Sequence, residues 1–194
     1  RKVYLFQKDG TQLWNYTTGN DVRSVDISAD GKYIAAGNDN KKVYLFGKSS
    51  STPVWSYTTG NEVHAVSISA DGKYIAVGST DSKIYLFDKS SSTPLWNYDA
   101  GSHVNRISIS ADGEYVVGGS NNDKVYLFDK DSSTPVWSYN TGDDVRGVAI
   151  SEDGEYIVAG AYNAKVYFFN KDSSTPLWSY DTGETVRSVD ISVD

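Results

Sequence analysis

The 194-residue sequence has no cysteine and no methionine. Without cysteine there can be no disulfide, no thiol nucleophile and no thiolate-held metal. No apolar run approaches the roughly 18 residues that mark a membrane-spanning helix, so membrane insertion is not expected. Lys and Arg never cluster and the formal net charge is −7, which argues against nucleic acid and anionic membrane as partners. Gly-x-Ser-x-Gly, the phosphate-binding loop and the zinc-protease helix motif are missing. Carboxylates abound, but they fall in turns, with no apolar setting to drive a pair of pKa values apart. No 3.6-residue periodicity runs through any segment, so no helix is expected. Only four prolines occur, and their positions are regular.

Pro53, Pro94, Pro135 and Pro176 lie 41 residues apart. The tryptophans Trp14, Trp55, Trp96, Trp137 and Trp178 keep the same interval, and so do Gly19, Gly60, Gly101, Gly142 and Gly183. Asp-Gly pairs at Asp30, Asp71, Asp112 and Asp153 follow it too. A period of this size signals a solenoid, propeller or array and takes precedence over any local assignment.

One period holds four short apolar runs, designated strands A to D, for which the second copy supplies residues 63–69, 74–78, 84–87 and 95–98. They are rich in Val, Ile, Tyr, Phe and Trp and bounded by turn residues. Asp-Gly between A and B is a strong hairpin signal, because glycine tolerates positive φ. Lys-Val-Tyr-Leu-Phe in strand C is apolar at nearly every position and should be covered on both faces. Strand D alternates, with Trp55 and Tyr57 on one side and Ser56 on the other. The prolines open strand D, where a missing N–H is tolerated only at an edge. Four antiparallel strands per unit, with D outermost and A innermost, describe an all-β fold, the β-propeller of four-stranded antiparallel blades. A blade cannot bury its faces alone, so residues 1–194 read as a single domain stabilised by stacking. The tryptophans read as core that holds blade to blade.

Residues 1–16 supply strands C and D only, with a shorter turn and no proline. Four complete sets begin at Val22, Val63, Val104 and Val145, and residues 186–192 supply a final strand A. The expected architecture is four complete blades plus partial terminal strands. A five-bladed ring would lack one strand B, about ten residues by comparison with 31–40, and a longer array is the alternative. Unfinished ends make self-association possible. A chain that opens at Arg1 within a repeat and has no methionine reads as a processed or cut product. The Ser, Thr, Asn and Tyr content suits an extracellular or cell-surface microbial protein.

Two family resemblances rest on these residues. Ile-Ser-Ala-Asp-Gly-Lys-Tyr-Ile-Ala-Val-Gly-Ser resembles the hairpin of WD repeats. Val-Tyr-Leu-Phe-Asp-Lys-Asp-Ser-Ser-Thr-Pro-Val-Trp-Ser-Tyr-Asn-Thr-Gly is similar to the tryptophan-docking motif of pyrroloquinoline-quinone-type propellers. The resemblance implies a propeller and, from the WD repeats, a non-catalytic platform for partner proteins. The sequence departs from WD repeats where Gly-His gives way to Gly-Asn, Gly-Ser, Gly-Asp or Gly-Glu. Trp-Asp likewise becomes Phe46-Gly47, Phe87-Asp88, Phe128-Asp129 and Phe169-Asn170. The family's His–Ser–Asp–Trp network is therefore not expected. Quinone dehydrogenases typically carry a vicinal cysteine pair, so neither that cofactor nor any other is expected.

The copies differ chiefly at the start of strand A and in the B–C loops, which should emerge on one face. The A–B turns stay Ser-Ala-Asp-Gly or Ser-Glu-Asp-Gly on the other. Loops that vary on a rigid scaffold are where binding usually resides. The candidate binding residues are Arg23, His64, Asn105, Arg146 and Arg187 around the channel mouth, with Asp39, Thr80, Asn121 and Tyr162 in the B–C loops. Asp21, Glu62, Asp144 and Glu184 flank them. A solvated rim with neutral drift between copies is the competing reading.

A metal site from His64 and His103 would need carboxylate help, and the two differ in register by one. Asp129–Ser132 lacks the glycine and distal glutamate of a calcium loop. Asn15-Tyr16-Thr17 is a formal glycosylation acceptor. No catalytic or metal-binding set emerges. The expected function is a non-catalytic scaffold that presents a protein or cell-surface ligand on the variable face. A sugar-binding lectin, a quinone-dependent dehydrogenase and a recently amplified or engineered array without an evolved partner are the alternatives.

Overall fold

The computed structural model describes residues 1–192. These form eighteen strands and no helix. β1 (Lys2–Phe6) and β2 (Gln12–Thr17) make a two-stranded sheet. The first blade is β3 (Val22–Ile27), β4 (Tyr33–Asn38), β5 (Lys42–Gly47) and β6 (Pro53–Thr58). The second is β7 (Val63–Ile68), β8 (Tyr74–Ser79), β9 (Lys83–Asp88) and β10 (Trp96–Asp99). The third is β11 (Val104–Ile109), β12 (Tyr115–Ser120), β13 (Lys124–Asp129) and β14 (Trp137–Asn140). The fourth is β15 (Val145–Ile150), β16 (Tyr156–Ala161), β17 (Lys165–Asn170) and β18 (Trp178–Asp181). Each blade is an antiparallel meander in chain order, so strands A and D are its two edges.

Strand A is the inner edge. β3, β7, β11 and β15 adjoin one another in sequence around the hub. Backbone bonds tie successive A–B turns into a belt: the Ala29 N–H donates to Ala70 O at 2.9 Å, Ala70 to Ala111 at 2.9 Å and Ala111 to Glu152 at 3.0 Å. Blade approach at the hub depends on strand-B glycines. A Cβ on Gly119 would sit 2.6 Å from Val145 Cγ1, which leaves room for hydrogen only. Every A–B turn is locked by the same side chains. Ser28 Oγ donates to Asp30 at 2.8 Å and accepts the Tyr33 N–H, and Asp30 also accepts the Lys32 N–H. Ser69–Asp71, Ser110–Asp112 and Ser151–Asp153 repeat the arrangement.

Strand C is covered on both faces, as its composition requires: Val43, Tyr44, Leu45 and Phe46 are all buried. The Tyr/Phe side receives the preceding blade and the Val/Leu side meets the following one. Tryptophan is the clamp between blades. Trp14, Trp55, Trp96 and Trp137 lie with ring centroids 5.2–5.3 Å from Phe46, Phe87, Phe128 and Phe169 of the next blade. Each indole Nε1–H donates to a carbonyl in that blade's C–D turn, at Lys48, Lys89, Lys130 and Lys171, over 2.7–2.9 Å. A buried tyrosine in strand C is also tied to the B–C loop. Tyr85 donates to Asp81 at 2.6 Å, and Asn163 donates to Tyr167 at 2.9 Å. Burial, then the bond to Asp81, pushes the Tyr85 hydroxyl far above the ordinary phenol range.

Two expectations need correction. Residues 186–192 are not a strand, because a strand needs a ladder partner and none lies beside them among the described residues. They instead lie along the fourth blade, where the Val186 N–H donates to Ala161 O at 3.2 Å. Proline opens strand D only at Pro53; Pro94, Pro135 and Pro176 precede strands that start at tryptophan. The four complete blades and the partial terminal strands β1 and β2 are as expected. Tyr4 (50% exposed), Phe6 (54%), Trp178 (48%) and Tyr180 (67%) leave the first and last faces uncovered.

Candidate binding site at the hub rim

The residues nominated from strand A share a local cause. In each blade the A–B ladder skips one residue: Val22 pairs with Asn38 and Ser24 with Gly37, which leaves Arg23 out. The same shift leaves out His64, Asn105 and Arg146. Each is therefore the extra residue of a β-bulge, a device that re-aims a side chain away from strict alternation. The D–A and B–C loops lie at this same end. The backbone N–H groups of Asp39, Thr80, Asn121 and Tyr162 donate to the carbonyls of Asp21, Glu62, His103 and Asp144 over 2.9–3.0 Å.

Bulge residue and B–C loop residue are sixteen positions apart, and the blades fill this pair differently. In the first blade Arg23 grips Asp39 with both ends of its fork, at 2.6 and 2.7 Å. That bond holds the Arg23 guanidinium above its usual range. In the second blade Thr80 is buried, with its hydroxyl 3.4 Å from Glu62 O, and His64 Nε2 lies 3.2 Å from the Glu62 carboxylate. In the third, Asn105 is buried; its amide donates to Asn121 Oδ1 and, at 3.0 Å, to Val145 O. In the fourth, the Arg146 guanidinium lies 4.5 Å from the Tyr162 ring centroid, in cation–π geometry.

Blades three and four join here. Arg146 donates to Asn105 Oδ1 at 3.2 Å and to Asp144 at 2.8 Å. Its Nε–H is enclosed and has no acceptor among the described residues. An unmade buried hydrogen bond costs about 1–3 kcal/mol. Arg187 approaches the same tyrosine, 3.4 Å from its hydroxyl and 5.5 Å from its ring centroid. A cavity of about 170 Å³ is lined by His64, Asn105, Arg106, Arg146, Tyr162 and Arg187. Arg23, Asp39, Thr80 and Asn121 lie on the rim outside that lining. Arg106 is not among the residues nominated from the sequence. The bulge breaks the alternation, so Asn105 and Arg106, adjacent in the chain, both face the cavity. Its signal was charge at a position that holds Ser24, Ala65 and Gly147 in the other blades.

Asp39, Glu62 and His64 bring three potential ligand atoms within 4.8 Å of one another, and so do Asp123, Asp143 and Asp144. In the first group Asp39 is already paired with Arg23. His64 thus neighbours carboxylates. A quinone cofactor does not fit these residues: cysteine is absent, and the cavity is smaller than the roughly 300–1,000 Å³ of small-molecule pockets. A larger hollow of about 520 Å³, between Leu5, Phe6 and Leu13 on one side and Ile27, Gly31 and Lys48 on the other, lies between the two-stranded sheet and the first blade.

The family model described as outer membrane protein assembly factor BamB matches residues 1–112 and 105–193. The chain belongs to this family of PQQ-type propeller repeats. Among solved structures, this PQQ-type propeller resembles a WD40 propeller chain in the crystal structure of the mitotic checkpoint complex. The TM-score is 0.83 with 22% sequence identity, over 97% of this chain and 62% of that chain. At that identity the likeness shows the fold, and the chain spans less than two thirds of that relative. No curated protein matches the sequence. The clamp tryptophans and Asp-Gly hairpins thus sit in the fold that their residues resembled.

Proposed function

We propose that this PQQ-type propeller is a non-catalytic binding platform that engages a protein ligand on the end formed by its D–A and B–C loops. The contrast between the two ends carries this reading. One end repeats a single Ser–Asp turn lock four times. The other gives its four equivalent bulge residues an ion pair, a histidine–carboxylate pair, an amide pair and a cation–π pair. A rigid frame with chemically distinct stations suits recognition of one asymmetric surface. PQQ-type and WD40 propellers generally bind proteins, which accords with it.

The test selects binders from a displayed peptide library against the 194-residue chain, then measures them on two variants. One carries Arg23→Ala and Tyr162→Ala on the loop end; the other carries Lys32→Ala and Lys73→Ala on the turn end. Selected peptides should lose at least tenfold in affinity on the first and keep it on the second. The opposite pattern would overturn the assignment of the working end.

A further inference from the structure

We infer that the hub cavity of blades three and four receives carboxylates of an acidic protein segment. This rests on the loop-end reading and names the chemistry of its ligand.

The cavity is lined by three guanidiniums, one imidazole, one amide and one phenol, and by no carboxylate. Arg146 shares its charge with Asp144, and His64 lies beside Glu62. Arg106 and Arg187 have no carboxylate within ion-pair distance among the described residues. Among the described residues, Arg106 donates only to the Asn105 backbone carbonyl, at 3.0 Å, and Arg187 reaches only Tyr162. Two positive charges thus face one small space on a chain whose net charge is −7. A concave site lined by one sign of charge focuses its field on the opposite sign.

The first blade shows which group is missing. There the loop residue sixteen positions after the bulge arginine is Asp39, and it fills the guanidinium fork from within the chain. In the fourth blade that position is Tyr162, which offers a ring face and no negative charge. Arg146 therefore keeps an enclosed Nε–H without an acceptor. A carboxylate from outside meets Arg106 and Arg187, which are exposed and have no carboxylate partner among the described residues. Planar guanidiniums accept a carboxylate through paired N–H donors, and the tyrosine holds both arginines in place by stacking and hydrogen bonding. The cavity volume, about 170 Å³, admits a side-chain carboxylate on an extended segment. Single-charged groups match the two uncompensated arginines one to one.

The probe is a hexaglutamate peptide blocked at both ends, titrated into the ¹⁵N-labelled chain, with the blocked hexaglutamine peptide and inorganic phosphate as separate arms. Arginine Nε–H signals and the Tyr162 amide report occupancy. The glutamate peptide should shift the Arg106, Arg146, Arg187 and Tyr162 signals saturably, and the glutamine peptide should not. The Arg106→Gln/Arg187→Gln double variant should bind at least tenfold more weakly while its circular dichroism stays unchanged, because both side chains are exposed. Lys130→Gln, at the turn end, should leave the affinity unchanged. Equal binding of the two peptides, shifts with phosphate alone, or undiminished binding by the double variant would overturn the inference. If library-selected peptides still map to the loop end in that case, only the carboxylate assignment falls. If they do not, the platform reading falls with it.

Discussion

The tryptophan clamp predicts a difference between two chemically identical substitutions. Trp137 is 9% exposed, packs on Phe169 at 5.2 Å and donates to Lys171 O at 2.7 Å. Trp178 occupies the same place in its own blade, but it is 48% exposed and stacks at 5.1 Å on Phe168 of that blade. Truncating a buried tryptophan costs about 3–5 kcal/mol, and an exposed side chain about 0.5 kcal/mol. With a urea slope of about 2 kcal/mol/M, Trp137→Ala should lower the unfolding midpoint by ~1.5–2.5 M and Trp178→Ala by less than ~0.5 M. Trp137→Phe keeps most of the apolar contact and strands the Lys171 carbonyl, so a loss of about 1–2 kcal/mol is expected. Far-UV circular dichroism is the readout, since each substitution removes one of the five tryptophan fluorophores. Equal midpoints for the two alanine variants would refute the argument that the indole acts across the blade boundary.

Other predictions follow from particular contacts. Gly119→Ala should destabilise by about 1–3 kcal/mol through the clash with Val145, whereas Gly47→Ala, with its nearest neighbour 3.9 Å away, should be neutral or slightly stabilising in the same urea titration. Ala164 sits at φ 64°, a left-handed conformation, so Ala164→Gly should raise stability by up to ~1 kcal/mol; a loss would mean that the loop gains from the methyl. Asp30 is held down to about 2, first by the Lys32 ammonium, then by the Lys32 N–H and Ser28. Asp153 is lowered first by the Ser151 hydroxyl and then by the Glu155 N–H. A lowered carboxylate stabilises the fold above its unfolded pKa near 3.8, and that contribution fades as pH falls toward 2. Urea midpoints should therefore drop between pH 4 and pH 2, and Asp30→Asn with Asp153→Asn should flatten that drop; an unchanged slope would count against the turn locks.

Strand positions were legible because they depend on local chemistry. Asp-Gly sets the hairpin, and an unbroken apolar run such as Val43–Phe46 can only be a two-faced core strand. The period also located the varying positions, since Arg23, His64, Asn105 and Arg146 recur in one register. What the pattern did not show was their geometry. A bulge is a mismatch between two strands and leaves no mark on either one alone, so strict alternation would send Arg106 to the side away from Asn105. The partner of each tryptophan was hidden for a similar reason, because a backbone carbonyl has no sequence signature. Residues 186–192 carry a strand's composition but have no ladder partner among the described residues.

Each clamp reaches forward along the chain, never back: the indole's acceptor is always 34 residues downstream. During translation at about 5–20 residues per second, a finished blade waits roughly 2–7 s before the carbonyl that will bolt it has been made. In that interval its aromatic flank is bare and open to a chaperone or to a neighbouring nascent chain. Ribosomal pace sets how long each of the four clamped flanks stays vulnerable.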